Sequence, residues 1–150
     1  MTRFSTAPLE LPTFADRDDV RRADLVFHGV DHAGPSYVVH VFLGRENATL
    51  RTVRDSAHGY AGFYSVFGHG GCYGDDDGHC DPRARYSDDF DRRLRHPLAP
   101  QTRTLTATEA LQPLLLDPNV TQVPVTVVIE PASAAPTAPF ELVRLLTYVD

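Results

Sequence analysis

The side chains with the most chemistry in this chain lie close together. His69, Cys72, His79 and Cys80 place both cysteines and two of the seven histidines within twelve residues. Thiolate sulfur and imidazole nitrogen are the donors that zinc and Cu(I) favour. The spacing H-x2-C-x6-H-C is short enough for one loop to wrap one ion. Gly70, Gly71, Gly74 and Gly78 would let the backbone turn tightly around it. A closed Cys2His2 set is a structural arrangement, usually zinc, with copper as the other candidate. Two further readings of the cysteines stay open. A Cys72–Cys80 disulfide would close a short loop and stabilise by about 2–3 kcal/mol on the chain-entropy model, or both could be buried thiols. His28 and His40 are weaker metal candidates.

Other chemistries lack their signatures. Asp75, Asp76 and Asp77 stand beside His79, but the run has neither the spaced oxygens nor the closing Glu of an EF-hand loop. Ser36 and Ser65 do not sit in a G-x-S-x-G elbow. The sequence has no Walker loop and no dinucleotide fingerprint. A net charge of −6 argues against nucleic acid as partner, because phosphate neutralisation needs a basic face. No apolar run approaches the roughly 20 residues of a membrane span, and the first twenty residues have no secretory apolar core. A cytoplasmic location is therefore the expectation, and in a reducing compartment cysteines are more often free or metal-bound than paired.

The elements that must hold the 69–80 stretch are mostly strands. At 150 residues one domain is expected: an N-terminal arm over 1–23, then a β-sandwich over 24–150 with a long polar loop at 71–101. Residues 23–30 alternate as a half-buried strand. Asp31 to Pro35 is turn chemistry, and residues 36–43 form a strand apolar on both faces and hence central. These two strands are expected to make a hairpin, with His28 and His40 sharing one sheet face at diagonal spacing. Residues 60–67 and 102–106 are further strands. Thr106 and Glu109 fit a capping box opening a short helix whose apolar face is Ala110, Leu111, Leu114 and Leu115. Residues 123–130 and 140–149 are the last strands, joined by the Pro- and Ala-rich connector 131–139, read as a hairpin connection. The fold class is all-β, an antiparallel sandwich, cupredoxin- or jelly-roll-like, with one short helix.

The ordered stretches YVVHVFL (37–43), AGFYSVFGH (61–69), LTATEALQPLLL (105–116) and VPVTVVIEP (123–131) resemble a known pattern. It is that of the β-sandwich domain following the catalytic domain in type-3 copper proteins, the plant polyphenol oxidases, tyrosinases and molluscan haemocyanins. The resemblance spans residues 24–149. It implies a domain that covers a copper site and restricts access to it. The catalytic portion, with its six copper-binding histidines, has no counterpart in these residues, and the His-Gly-Gly-Cys…His-Cys loop departs from the plant pattern. The expected function is therefore an accessory, shielding or copper-loading domain acting with a tyrosinase-like catalytic polypeptide. The alternatives are a self-contained copper or zinc enzyme using the 69–80 loop, and a disulfide-stapled interaction module.

Overall fold

In the computed structural model, residues 2–68, 99–131 and 138–149 are described. In chain order they form β1 (Thr2–Ser5), β2 (Leu9–Glu10), a 3-10 segment (Phe14–Asp19), β3 (Val20–Val30), β4 (Tyr37–Leu43), a second 3-10 turn (Ser56–His58) and β5 (Tyr60–Val66). Then follow β6 (Gln101–Thr106), α1 (Thr108–Leu115), β7 (Gln122–Val123), β8 (Val125–Glu130) and β9 (Leu142–Val149).

Two antiparallel sheets, β1-β8-β4-β5 and β6-β3-β9, face each other, and a short β2-β7 pair stands beside them. The fold is an all-β sandwich. Leu25, Phe27 and Val30 of β3 share one core cluster with Val39, Val41 and Leu43 of β4 and Val125, Val127 and Ile129 of β8. Alternation along each strand sends these residues inward and their neighbours outward. On β4 the outward-facing His40 and Phe42 are buried too, and Phe42 joins Val128 and Ala48 in a second cluster, under the 44–59 connection. A strand apolar on both faces fits the middle of a sheet, and β4 lies between β5 and β8. One end of the sandwich is closed by α1, which buries Ala110, Leu111 and Leu115 in the main core.

Several connections differ from the sequence expectation. β3 and β4 do not form a hairpin. β3 pairs with β6 and β9, whereas β4 pairs with β5 and β8, so residues 31–36 cross from one sheet to the other. Asp-His-Ala-Gly-Pro chemistry reverses the chain equally well in either case. β8 and β9 likewise lie in different sheets, so the 131–139 connection also crosses over. Strand 123–130 is split by Pro124: β7 pairs with β2, and β8 with β1 and β4. Proline cannot donate to a ladder, and here its carbonyl accepts from the Gly44 N–H at 2.9 Å. The Thr106 capping box does not form, the N-cap position being Ala107. Thr106 closes β6 opposite Asp24 in register, where it helps to lower the pKa of that carboxyl. Thr108 is turned back to β3, where its hydroxyl accepts from the Ala23 N–H at 3.0 Å. At Gly29, with φ +67°, β3 slips register against β6 between Phe27 and Val30, a bulge that this residue's freedom permits.

Residues 2–23, read from sequence as an arm, contribute two strands and a 3-10 segment. Arg17 anchors them. It is only 5% exposed, and its guanidinium donates to the carbonyls of Pro12 (3.0 Å), Asp117 (2.7 Å) and Val120 (2.5 Å). Longer contacts reach Leu114 and Leu115. A cation at the end of α1 meets carbonyls that have no partner within the helix and lie at its negative pole.

Candidate functional site

His69, Cys72, His79 and Cys80 lie outside the described residues. The ends of the segment that carries them can be placed. The Gly68 N–H donates to Ser36 Oγ at 3.0 Å, and His32 Nε2 lies 2.9 Å from the Ala99 carbonyl oxygen. The segment therefore leaves and re-enters the sandwich beside the 31–36 crossover, at the end opposite α1. There the last residues of β3 and β5 meet the first of β4 and β6.

His28 and His40 do not share a face. His28 is on β3, pairing with Leu142, and points away from the core that Phe27 enters. His40 is on β4 and points away from the core that Val39 and Val41 enter. Both sheets therefore separate them. Among the described residues, no three His, Cys, Asp or Glu side chains come together in a group that could hold a metal ion.

His40 is instead a buried, partnered residue. Its Nδ1 is 3.1 Å from the Tyr60 hydroxyl and its Nε2 3.5 Å from Glu130 Oε2, with the Phe63 ring at 6.1 Å. Burial lowers its pKa, and the positive charge of Arg54 adds to this against the opposing Glu130 carboxylate. Neutral imidazole is the favoured form. On the outer face of the other sheet, Asp24 accepts from Arg22 Nε and Nη2, both at 2.9 Å, beneath the Tyr148 ring. The Arg22 hydrogen bond holds the Asp24 carboxyl below the usual carboxylate range.

A third polar group sits between the sheets at the crossover end, and sequence reading missed it. Arg103 and Gln101 have the same parity on β6 as core-directed Leu105, so both point inward, and Arg103 Nη2 donates to Gln101 Oε1 at 2.5 Å. That parity was the available signal: in TRTLT, an arginine two residues from an inward leucine must face inward as well. Arg103 lies opposite Phe27 in register, and the Phe27 ring packs 5.1 Å from the Tyr64 ring. Tyr37, on the adjacent strand, donates its hydroxyl to the Asp31 carbonyl. Burial pushes the Tyr37 phenol up to about 12, Asp31 adding to the rise and Arg103 opposing it. Burial raises Tyr64 further, again against Arg103. The Tyr64 hydroxyl and Arg103 Nε are both buried without a hydrogen-bond partner among the described residues.

Fold and surface together define an antiparallel β-sandwich module with one closing helix. No protein-family model matches the chain, and no curated protein matches it by sequence. Solved structures do match. Latent aurone synthase, a polyphenol oxidase, from its natural source aligns with a TM-score of 0.58 and 13% identity, covering 98% of this chain and 24% of that one. The recombinant form gives the same values. A recombinant crystal with hexatungstotellurate(VI), soaked in H2O2, gives 0.55 and 13% over 99% of this chain and 24% of that one. The chain thus spans about a quarter of the length of these proteins, and at such identity the likeness is one of fold.

Proposed function

We propose that this chain is an accessory β-domain that acts with a tyrosinase-like type-3 copper polypeptide, shielding its copper site or assisting its loading with copper. The observation that carries the reading is the extent of the fold likeness. Nearly the whole chain aligns with one quarter of a polyphenol oxidase, leaving three quarters of that protein without a counterpart here. An accessory domain also needs apolar surface to bury. Phe63 on edge strand β5 and Phe67 just beyond it are 57% and 80% exposed, the kind of surface that partners cover. In this reading His69, Cys72, His79 and Cys80 hold copper, or zinc as a structural ion, and their soft donors suit either.

The test mixes the purified chain with a type-3 copper catalytic polypeptide lacking its own β-domain. Light scattering after size exclusion reports association, and o-diphenol oxidation reports shielding or loading. A defined complex with an altered oxidation rate or copper content is expected. Two separate species with unchanged rate and copper content would sink the proposal. Oxidase activity of the isolated, metal-loaded chain that disappears in His79→Ala would favour a self-contained metalloenzyme instead.

A further inference from the structure

We propose that two donors at the crossover end of the sandwich, the Arg103 Nε–H and the Tyr64 hydroxyl, together bind one small oxyanion, a carboxylate or phosphate. Two buried donors with no acceptor among the described residues are the starting point. A buried polar group without a partner is rare in folded proteins, and an ion or an ordered water is the usual resolution. Here both orphans can donate, and one belongs to a permanent cation.

The placement is specific. Tyr64 is 8% exposed, its ring against Phe27, and Phe27 is the register partner of Arg103. Among the described residues, the acceptors nearby each already take a bond from another donor. Gln101 Oε1 takes Arg103 Nη2, the Asp31 carbonyl takes the Tyr37 hydroxyl, and the Asp31 carboxylate takes the Ala33 N–H at 2.9 Å. Among the described residues no carboxylate pairs with Arg103. Its charge faces two phenols that burial keeps protonated, and therefore able to donate. A guanidinium N–H beside an O–H donor suits a carboxylate or phosphate oxygen, the positive charge favours an anion over a neutral acceptor, and an apolar ligand would leave both donors unpaired.

The experiment is calorimetric titration of the intact chain with sodium acetate and, separately, sodium phosphate. Sodium chloride at matched ionic strength is the reference. Thermal midpoints are followed over the same concentrations, since a ligand of the native state alone raises the midpoint as it saturates. Saturable binding of acetate, phosphate or both, absent with chloride, is expected, and the two arms identify the preferred class. Arg103→Gln should weaken that binding about tenfold or more, on the order of one charge-assisted hydrogen bond. Tyr64→Phe, which keeps the ring on Phe27, should weaken it severalfold and leave the anion-free midpoint unchanged or higher. If Arg103→Gln does not fold, Arg103→Lys and Tyr64→Phe carry the test. Equal responses to acetate, phosphate and chloride, or binding that Tyr64→Phe leaves unchanged, would mean that the two donors face ordered water, and would overturn the proposal.

Discussion

Replacing Arg17 is the sharpest test of how the N-terminal strands are held. Three of its hydrogen bonds are short, at 2.5–3.0 Å, and those to Leu114 and Leu115, at 3.4–3.5 Å, contribute little. A bond from a charged donor is worth about 1.5–3 kcal/mol. The gross loss is offset by the cost of keeping a guanidinium out of water and by rehydration of carbonyls at a chain turn. A net loss of about 3–5 kcal/mol is expected for Arg17→Met, which retains the aliphatic stem. At roughly 2–4 °C per kcal/mol for a chain of this size, the thermal midpoint should fall by about 6–20 °C. Arg17→Lys keeps the charge but not the fork that reaches Pro12, Asp117 and Val120 together, so it should recover only part of the loss. Urea unfolding followed by circular dichroism and by tyrosine fluorescence measures both variants. A cost under about 1 kcal/mol for Arg17→Met, or a lysine variant equal to wild type, would refute the clamp.

Other outcomes follow from the same structure. Gly59 has φ +80°, and a Cβ there would fall inside contact distance of the Leu43 carbonyl oxygen. Gly59→Ala should therefore cost about 2–3 kcal/mol in urea unfolding, more than handedness alone demands. His40 has a folded pKa below its unfolded value near 6.5. Its contribution is intact above that pH and declines as pH falls toward the folded pKa, because the unfolded chain takes up the proton first. A His40→Gln variant should lose this part of the stability–pH profile, and a profile identical to wild type between pH 7 and 5 would contradict the assignment. Asp24, with its pKa lowered, contributes above its unfolded value near 3.8, and that contribution should fade in more acidic solution. Protein purified under reducing conditions without chelator should carry copper or zinc by elemental mass spectrometry, and a Cys72→Ser/Cys80→Ser double variant should carry none. Metal-free protein with no titratable thiols would indicate a disulfide instead.

The sequence determined the local elements, because alternation and helical spacing are local properties. Residues 36–43, apolar in both parities, announced a central strand that Tyr37–Leu43 occupies, and of the expected α1 face Ala110, Leu111, Leu114 and Leu115, all but the partly buried Leu114 are buried. It carried the four ordered stretches whose resemblance pointed to polyphenol oxidases, and solved structures of a polyphenol oxidase share the fold over about a quarter of their length. Pairing was decided only in three dimensions. Alternation says which face of β3 is apolar and nothing about which sheet it joins, so a turn at 31–36 reads as a hairpin when it is a crossover. Thr106 could cap a helix or end a strand, and the register of β3 against β6 placed it opposite Asp24. Arg17 looked like one charge in a polar run until the turn after α1 arrived beside it from about a hundred residues away. Arg103 was legible as inward-facing from its parity with Leu105, yet the lack of an acceptor, among the described residues, for its Nε and for the Tyr64 hydroxyl belongs to the packing of two sheets. Hydrogen-bond partners distant in sequence are fixed by the tertiary fold, because nothing in the local pattern names them.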